Sequence, residues 1–191
     1  MQKIILGIVA LAIIAVLLWN FMPKIGDITV ESAKGFVLDD LKHKYANAEY
    51  EILSVQEENA TTSGKQYTVK ARVTLNPDSA CPERIHLYYN YPAQGYVSQP
   101  PDFITKDCQI CGGAAECTIL YKEEAVIASH TKPGTENVNA FIQQYGAAPT
   151  VSRNDATGVW AVVWKSNAAT YSYEVKIAGN SAVISVNIGP K

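Results

Sequence analysis

Residues 66–74 read QYTVKARVT, an unbroken alternation of apolar and polar side chains. Because successive side chains of a strand point to opposite faces of a sheet, this pattern predicts a strand with one face on a core and the other in solvent. The predicted inward face carries Tyr67, Val69, Ala71 and Val73, and the outward face carries Thr68, Lys70, Arg72 and Thr74. Residues 170–177, TYSYEVKI, repeat the alternation, so a second strand of this kind is expected near the end of the chain.

The segments around these two strands predict helices and further strands. Apolar residues recur at helical spacing from Val30 to Tyr45 after a capping residue, Asp27 or Thr29, and again between Pro133 and Gly146. A shorter helix is predicted at residues 123–130, where the adjacent carboxylates Glu123 and Glu124 are expected to be surface charges. The remaining predicted strands are residues 49–57, 84–91, 118–121, 159–164 and 182–188.

The order of these elements predicts an α+β fold made of two similar units. Each unit has a helix followed by an antiparallel meander, the first in residues 24–91 and the second in residues 122–191. Residues 92–121 are rich in Pro, Gly and Cys and have no periodicity, so they are predicted to form a Cys-rich loop between the units. Helix-plus-meander is a common arrangement, and both internal duplication and coincidence are consistent with the repeated order.

The second unit resembles small helix-and-meander domains of the PepSY and cystatin-like type in the order of its elements. The resemblance implies binding or inhibition rather than catalysis.

The start of the chain predicts a membrane anchor, residues 1–23. Residues 4–22 read IILGIVALAIIAVLLWNFM and contain no charged side chain. Nineteen helical residues span about 28 Å, close to the ~30 Å hydrocarbon core of a bilayer. A cleaved signal peptide and a buried helix are the alternatives, but Trp19 to Pro23 offer no small-residue cleavage site.

The orientation of this anchor rests on its position rather than on charge. Lys3 precedes it, and Lys24 and Lys34 follow it, so the positive charges hardly favour either side. An anchor with only a few residues before it and a globular domain after it usually inserts with its N-terminus on the cytoplasmic side. The expected location is therefore the cell membrane, as a single-pass protein with its C-terminal domain extracytoplasmic.

Composition and motifs disfavour several classes of function. The chain has 16 Lys and Arg against 18 Asp and Glu and no basic stripe, so nucleic acid is not an expected partner. No phosphate-binding loop, dinucleotide fingerprint or nucleophile motif occurs, so no catalytic residue and no cofactor is predicted. No short motif links the three histidines His43, His86 and His130. His86 lies five residues after Cys81 and is a candidate metal ligand, but we expect it to be a solvated residue on a strand face.

The four cysteines Cys81, Cys108, Cys111 and Cys117 carry the clearest chemical signal. Outside the cytoplasm, an even number of Cys in an irregular segment predicts disulfides, here two, with three possible pairings. Zinc bound by four thiolates is one alternative, since Cys108 and Cys111 have the C-x2-C spacing. A redox-active Cys108–Cys111 pair is another, although the two glycines that follow form helices poorly.

These observations predict a membrane-anchored, extracytoplasmic binding or assembly module that is not an enzyme. The expected partners are the membrane, through residues 4–22, and a protein. Tyr88 and Tyr96, in the run YYNYPAQGY, are the candidate binding surface. The alternative is that Tyr89 and Tyr91 belong to the core and the other tyrosines cover strand edges. An envelope thiol–disulfide enzyme using the Cys cluster and a zinc-stabilised domain on an inverted anchor are the alternative functions.

Overall fold

The computed structural model describes residues 28–60, 64–92, 99–114 and 117–191. The predicted anchor, residues 1–23, lies outside these ranges, and so does Tyr96. Among the described residues, no helix is both long enough and apolar enough to cross a lipid bilayer.

The first helix, α1, spans Val30–Lys44 and begins with a capping box. Oγ1 of Thr29 accepts a hydrogen bond from the backbone N–H of Ser32 (3.1 Å), and Oγ of Ser32 accepts one from the N–H of Thr29 (2.9 Å). These bonds satisfy two backbone donors that a helix start leaves unpaired. The predicted helix and its cap at Thr29 are thus confirmed.

The helix α1 packs on the first sheet, whose strands follow in chain order: β1 (Glu49–Ala60), β2 (Gly64–Leu75), β3 (Glu83–Tyr91) and β4 (Asp102–Phe103). All neighbouring strands are antiparallel. The inward side chains of β2 are buried as predicted, and with Leu41 of α1 and Leu87 and Tyr89 of β3 they form one apolar core.

The Cys-rich segment has more order than the predicted loop. It contains two paired short strands, β5 (Thr105–Lys106) and β6 (Gln109–Ile110), and a 3-10 turn at Cys111–Gly113. Residues 118–121, predicted as a strand, form no strand. Ile119 is nevertheless buried, and its N–H donates to the carbonyl of Gly179 (2.7 Å), which attaches the segment to the second unit.

The second unit begins with two helices, α2 (Lys122–Thr131) and α3 (Glu136–Tyr145). Its sheet has the order β10-β9-β8-β7, with β7 at Ala148–Asn154, β8 at Val159–Lys165, β9 at Tyr171–Ile177 and β10 at Val183–Pro190. The α+β class with antiparallel sheets is confirmed. The sequence prediction missed β7 because this edge strand exposes most of its side chains and therefore lacks the alternation that marks β8 and β9.

A buried polar junction joins the two units. Nη1 of Arg84, on β3, lies 3.2 Å from Oε2 of Glu123, on α2, and the hydroxyl of Thr74 donates to Oε1 of the same carboxylate (2.9 Å). The guanidinium of Arg84 also stacks on the ring of Tyr121, 3.6 Å from its centroid.

The junction corrects three expectations about exposure. Thr74 lies on the outward face of β2 as predicted, but the second unit covers it. Glu123 and Glu124 are not surface charges, since they are 1% and 5% exposed. His86 is not solvated either, because it lies on the same covered face.

Candidate functional site at the Cys81–Cys108 disulfide

The four cysteines form two disulfides, Cys81–Cys108 and Cys111–Cys117, which confirms the predicted bridges and shows their pairing. Cys108 and Cys111 belong to different bridges, so the C-x2-C spacing marks neither a redox pair nor half of a four-thiolate zinc site in this structure. The two bridges close loops of different length. The cysteines of the first bridge are 27 residues apart in sequence, and those of the second are 6 residues apart.

Local backbone geometry places Cys108 opposite Cys81. Cys81 lies in the turn that precedes β3, and Cys108 lies in the tight connection between β5 and β6. Asp107 and Cys108 both have positive φ, 52° and 58°, a left-handed conformation that non-glycine residues rarely adopt. Such strained residues persist only where surrounding contacts hold them, and they are common at functional sites.

His130, in the last turn of α2, lies beside this disulfide. Its Nε2 is 3.5 Å from Sγ of Cys108 and 3.9 Å from Sγ of Cys81. Its Nδ1 lies 3.0 Å from the carbonyl oxygen of Val126. A carbonyl can only accept, so Nδ1 carries the proton, and in the neutral ring Nε2 presents its lone pair to the two sulfurs.

The surroundings of His130 favour that neutral form. The residue is 6% exposed, and its burial lowers the pKa of the imidazole from its ordinary value, against the opposing effect of the bond to Val126. The ring meets Trp164 edge to face, with centroids 5.5 Å apart, and the indole N–H of Trp164 donates to Oγ of Ser129 (2.9 Å). Two residues of α2 thus orient the two rings: Val126 that of His130 and Ser129 that of Trp164.

The disulfide and His130 border an open groove of about 790 Å³. Its remaining lining comes from Ala80, from the end of α2 and the α2–α3 connection, and from α3. On α3, Glu136, Asn139 and Gln143 lie at helical spacing on one face. The site can therefore do two things chemically. It can hold a ligand against polar side chains, and it can bring an imidazole nitrogen to two sulfur atoms.

The structure distributes the other predicted residues differently. Tyr88 is half-buried on the outer face of the first sheet, where its hydroxyl donates to Asp102 and the Lys70 ammonium lies over its ring. His86 is not the histidine near Cys81; it accepts a hydrogen bond from Nε of Arg84 in the junction (3.1 Å).

Sequence spacing gives no sign of His130 as the partner of the cysteines. It lies 49 residues after Cys81 and 22 after Cys108, and the packing of α2 against β6 brings the three together. The one available signal is that His130 ends a predicted helix that follows the Cys-rich segment directly.

Comparisons with models of protein families, with curated proteins and with solved structures find no match to this chain. The resemblance of the second unit to PepSY and cystatin-like domains therefore stays a prediction.

Proposed function

We propose that this chain is a non-catalytic binding or assembly module, tethered to the membrane by residues 4–22, that holds a segment of a partner protein on the outer side. The observation that carries the proposal is the groove beside the Cys81–Cys108 disulfide. Its volume of about 790 Å³ is within the range of ligand sites in proteins.

The lining of the groove suits a polypeptide. Asn139 and Gln143 carry side-chain amides, which donate and accept hydrogen bonds as a peptide backbone does. Ile142 and Pro133 add apolar surface to the lining. A groove with both kinds of surface favours an extended chain segment of mixed polarity.

The walls of the groove are held in place before any partner arrives. The disulfide fixes the β5–β6 connection to the start of β3, and the contact of Phe141 with Tyr171 and Tyr173 fixes α3 on its sheet. A preorganised surface pays less ordering entropy on association, which favours binding.

The hydroxyl groups in the groove support a non-catalytic role. Oγ1 of Thr131 donates to the carbonyl of Ile127 (2.7 Å), and Oγ1 of Thr135 donates to the carbonyl of Lys132 (2.6 Å). Both protons are directed to backbone oxygens, so neither hydroxyl has the hydrogen-bonded base that a nucleophile requires.

Photo-cross-linking in the native membrane tests this proposal. A benzophenone amino acid at position 143 is expected to give a defined cross-linked protein that mass spectrometry identifies. The same probe at position 144, the neighbouring exposed glutamine that does not line the groove, is the control.

A bulky residue in the groove provides the second arm. Asn139→Trp should remove the cross-link. Asn137→Trp should preserve it, because Asn137 is an exposed residue of α3 that does not line the groove. Equal products from positions 143 and 144, or turnover that a single groove substitution abolishes in a folded variant, contradict the proposal.

A further inference from the structure

We propose that Cys81, Cys108 and His130 form a redox-gated zinc site, which binds one Zn²⁺ after a dithiol reductant has opened the Cys81–Cys108 disulfide. The two Sγ atoms and Nε2 of His130 already lie within 4.8 Å of one another. This inference concerns the sulfur chemistry of the groove and requires no partner protein in it.

The reaction balances with the dithiol as the only co-reactant. One of its thiolates attacks a sulfur of the Cys81–Cys108 bond, and its second thiol resolves the mixed disulfide. The reductant leaves as its own disulfide, and Cys81 and Cys108 become thiols. Binding of Zn²⁺ then releases the two thiol protons, because the metal binds thiolates.

The distances to His130 already suit a tetrahedral metal. With Zn–S near 2.3 Å and Zn–N near 2.0 Å, a nitrogen and a sulfur ligand of a tetrahedral site lie about 3.5 Å apart. The observed separations from Nε2 are 3.5 Å to Cys108 and 3.9 Å to Cys81. Only the two sulfurs must move, from bonding distance to about 3.8 Å, and rotation of their side chains can supply that.

His130 has the surroundings of a metal-binding histidine. Its Nδ1–H donates to the carbonyl of Val126, the type of bond that orients imidazole ligands and leaves Nε2 free for the metal. Its buried position lowers the pKa of the ring and so favours the neutral form, in which that nitrogen can bind a metal.

Hydrogen bonds also hold the frame around the disulfide, in addition to the S–S bond. The buried hydroxyl of Thr105 donates to the carbonyl of Pro82 (2.8 Å) and accepts from the N–H of Arg84 (2.7 Å). The N–H of Ile104 donates to the carbonyl of Arg84 (2.9 Å). These bonds hold the segment that carries Cys108 against the start of β3, so the two sulfurs stay close after reduction.

The groove offers access to a fourth ligand. Cys81, Cys108 and His130 all line it, so a metal between them faces an open space of about 790 Å³. Three protein ligands with an accessible fourth position can admit water or a side chain from a bound molecule.

Alkylation footprinting of the full-length chain tests the site. The protein is reduced anaerobically with dithiothreitol, freed of reductant, and alkylated with and without one equivalent of ZnCl₂. Mass spectrometry then reads each cysteine. We expect Zn²⁺ to slow alkylation of Cys81 and Cys108 at least tenfold and to leave Cys111 and Cys117 unchanged.

Substitution of the histidine provides the matched arm. His130→Ala should abolish the protection, while His43→Ala, at an exposed position of α1, should preserve it. Far-ultraviolet circular dichroism records whether each reduced protein remains folded.

A second variant, with Cys111→Ser and Cys117→Ser, restricts the chemistry to the proposed pair. After reduction it should bind one equivalent of Co²⁺ with a thiolate-to-cobalt absorption band that Zn²⁺ removes. Unfolding of the wild-type chain on reduction, absence of protection in a folded reduced chain, or protection that survives His130→Ala would each overturn the proposal.

Discussion

Arg84 and Glu123 form an ion pair between the two units of the chain, with Nη1 and Oε2 3.2 Å apart and side chains 6% and 1% exposed. Protein surrounds the pair almost completely, so each charge has lost its water and is compensated by the opposite charge. Removing one charge leaves the other buried without compensation, which commonly costs about 3–5 kcal/mol.

Glu123→Gln should therefore lower the free energy of unfolding by about 3 kcal/mol or more, measured by urea denaturation. Glu49→Gln is the control, because the Glu49 side chain is 45% exposed next to the junction, where it pairs with Lys122 (3.1 Å) and lies 3.9 Å from Arg72. Such a surface pair contributes only about 0–1 kcal/mol. Equal losses for the two variants would contradict the junction as described.

The stability of the fold should fall as the pH drops below neutral because of His86. Burial lowers the pKa of this imidazole to about 4, and the positive charges of Arg84 and Lys70 act in the same direction against the carboxylates of Asp102 and Glu123. Between about pH 6.5 and 4 the unfolded chain binds a proton at His86 that the folded chain does not bind. The free energy of unfolding is therefore highest above about pH 6.5 and declines between about pH 6.5 and 4.

The expected loss from His86 is on the order of 2–3 kcal/mol over that interval. Urea denaturation at pH 7 and pH 5 should record about 2 kcal/mol of this loss. His86→Gln should show a clearly smaller difference between the two pH values. His43→Gln, at the exposed position on α1, should behave as the wild type does. The same pH dependence in both variants would assign the effect to other groups.

The two disulfides should differ in their contribution to stability. In the chain-entropy account, a loop closed over a separation of 27 residues is worth about 3–4 kcal/mol, and one closed over 6 is worth about 2 kcal/mol. Replacing Cys81 and Cys108 together by Ser should thus lower the melting temperature more than replacing Cys111 and Cys117. The reverse order in thermal denaturation would show that the shorter bridge fixes more of the structure.

The mature protein is expected to retain residues 4–22. The length of this segment, its lack of charge and the absence of a small-residue cleavage site motivate the prediction. Mass spectrometry of the protein extracted from its native membrane gives the N-terminus directly. An N-terminus beyond residue 20 would rule out the anchor.

Local patterns in the sequence predicted the elements whose side chains alternate between core and solvent. The strands β2 and β9 and the helix α1 follow from the spacing of their own residues, as the burial of Val69, Val175 and Val37 shows. The edge strand β7 lacks an alternation of apolar and polar residues. It pairs with only one strand and exposes most of its side chains, so few of its positions need an apolar residue.

The candidate site could be predicted only in part. The disulfides follow from the number and context of the cysteines, but their pairing and the position of His130 depend on how α2 packs against the segment that carries Cys108. The burial of Glu123 likewise follows from contact with Arg84 on another unit, which spacing along the chain does not encode.

The order of the bridges along the chain has a consequence for its connectivity. The loops closed by Cys81–Cys108 and Cys111–Cys117 follow one another without overlap, so neither bridge spans Gln109–Ile110. A protease cut at that single peptide bond would divide the molecule into two separate chains even under oxidising conditions. The Arg84–Glu123 junction, the pairing of β5 with β6 and the contacts of Cys81 and Cys108 with His130 would then keep the halves associated, which makes this bond a suitable place to split the protein for fragment complementation.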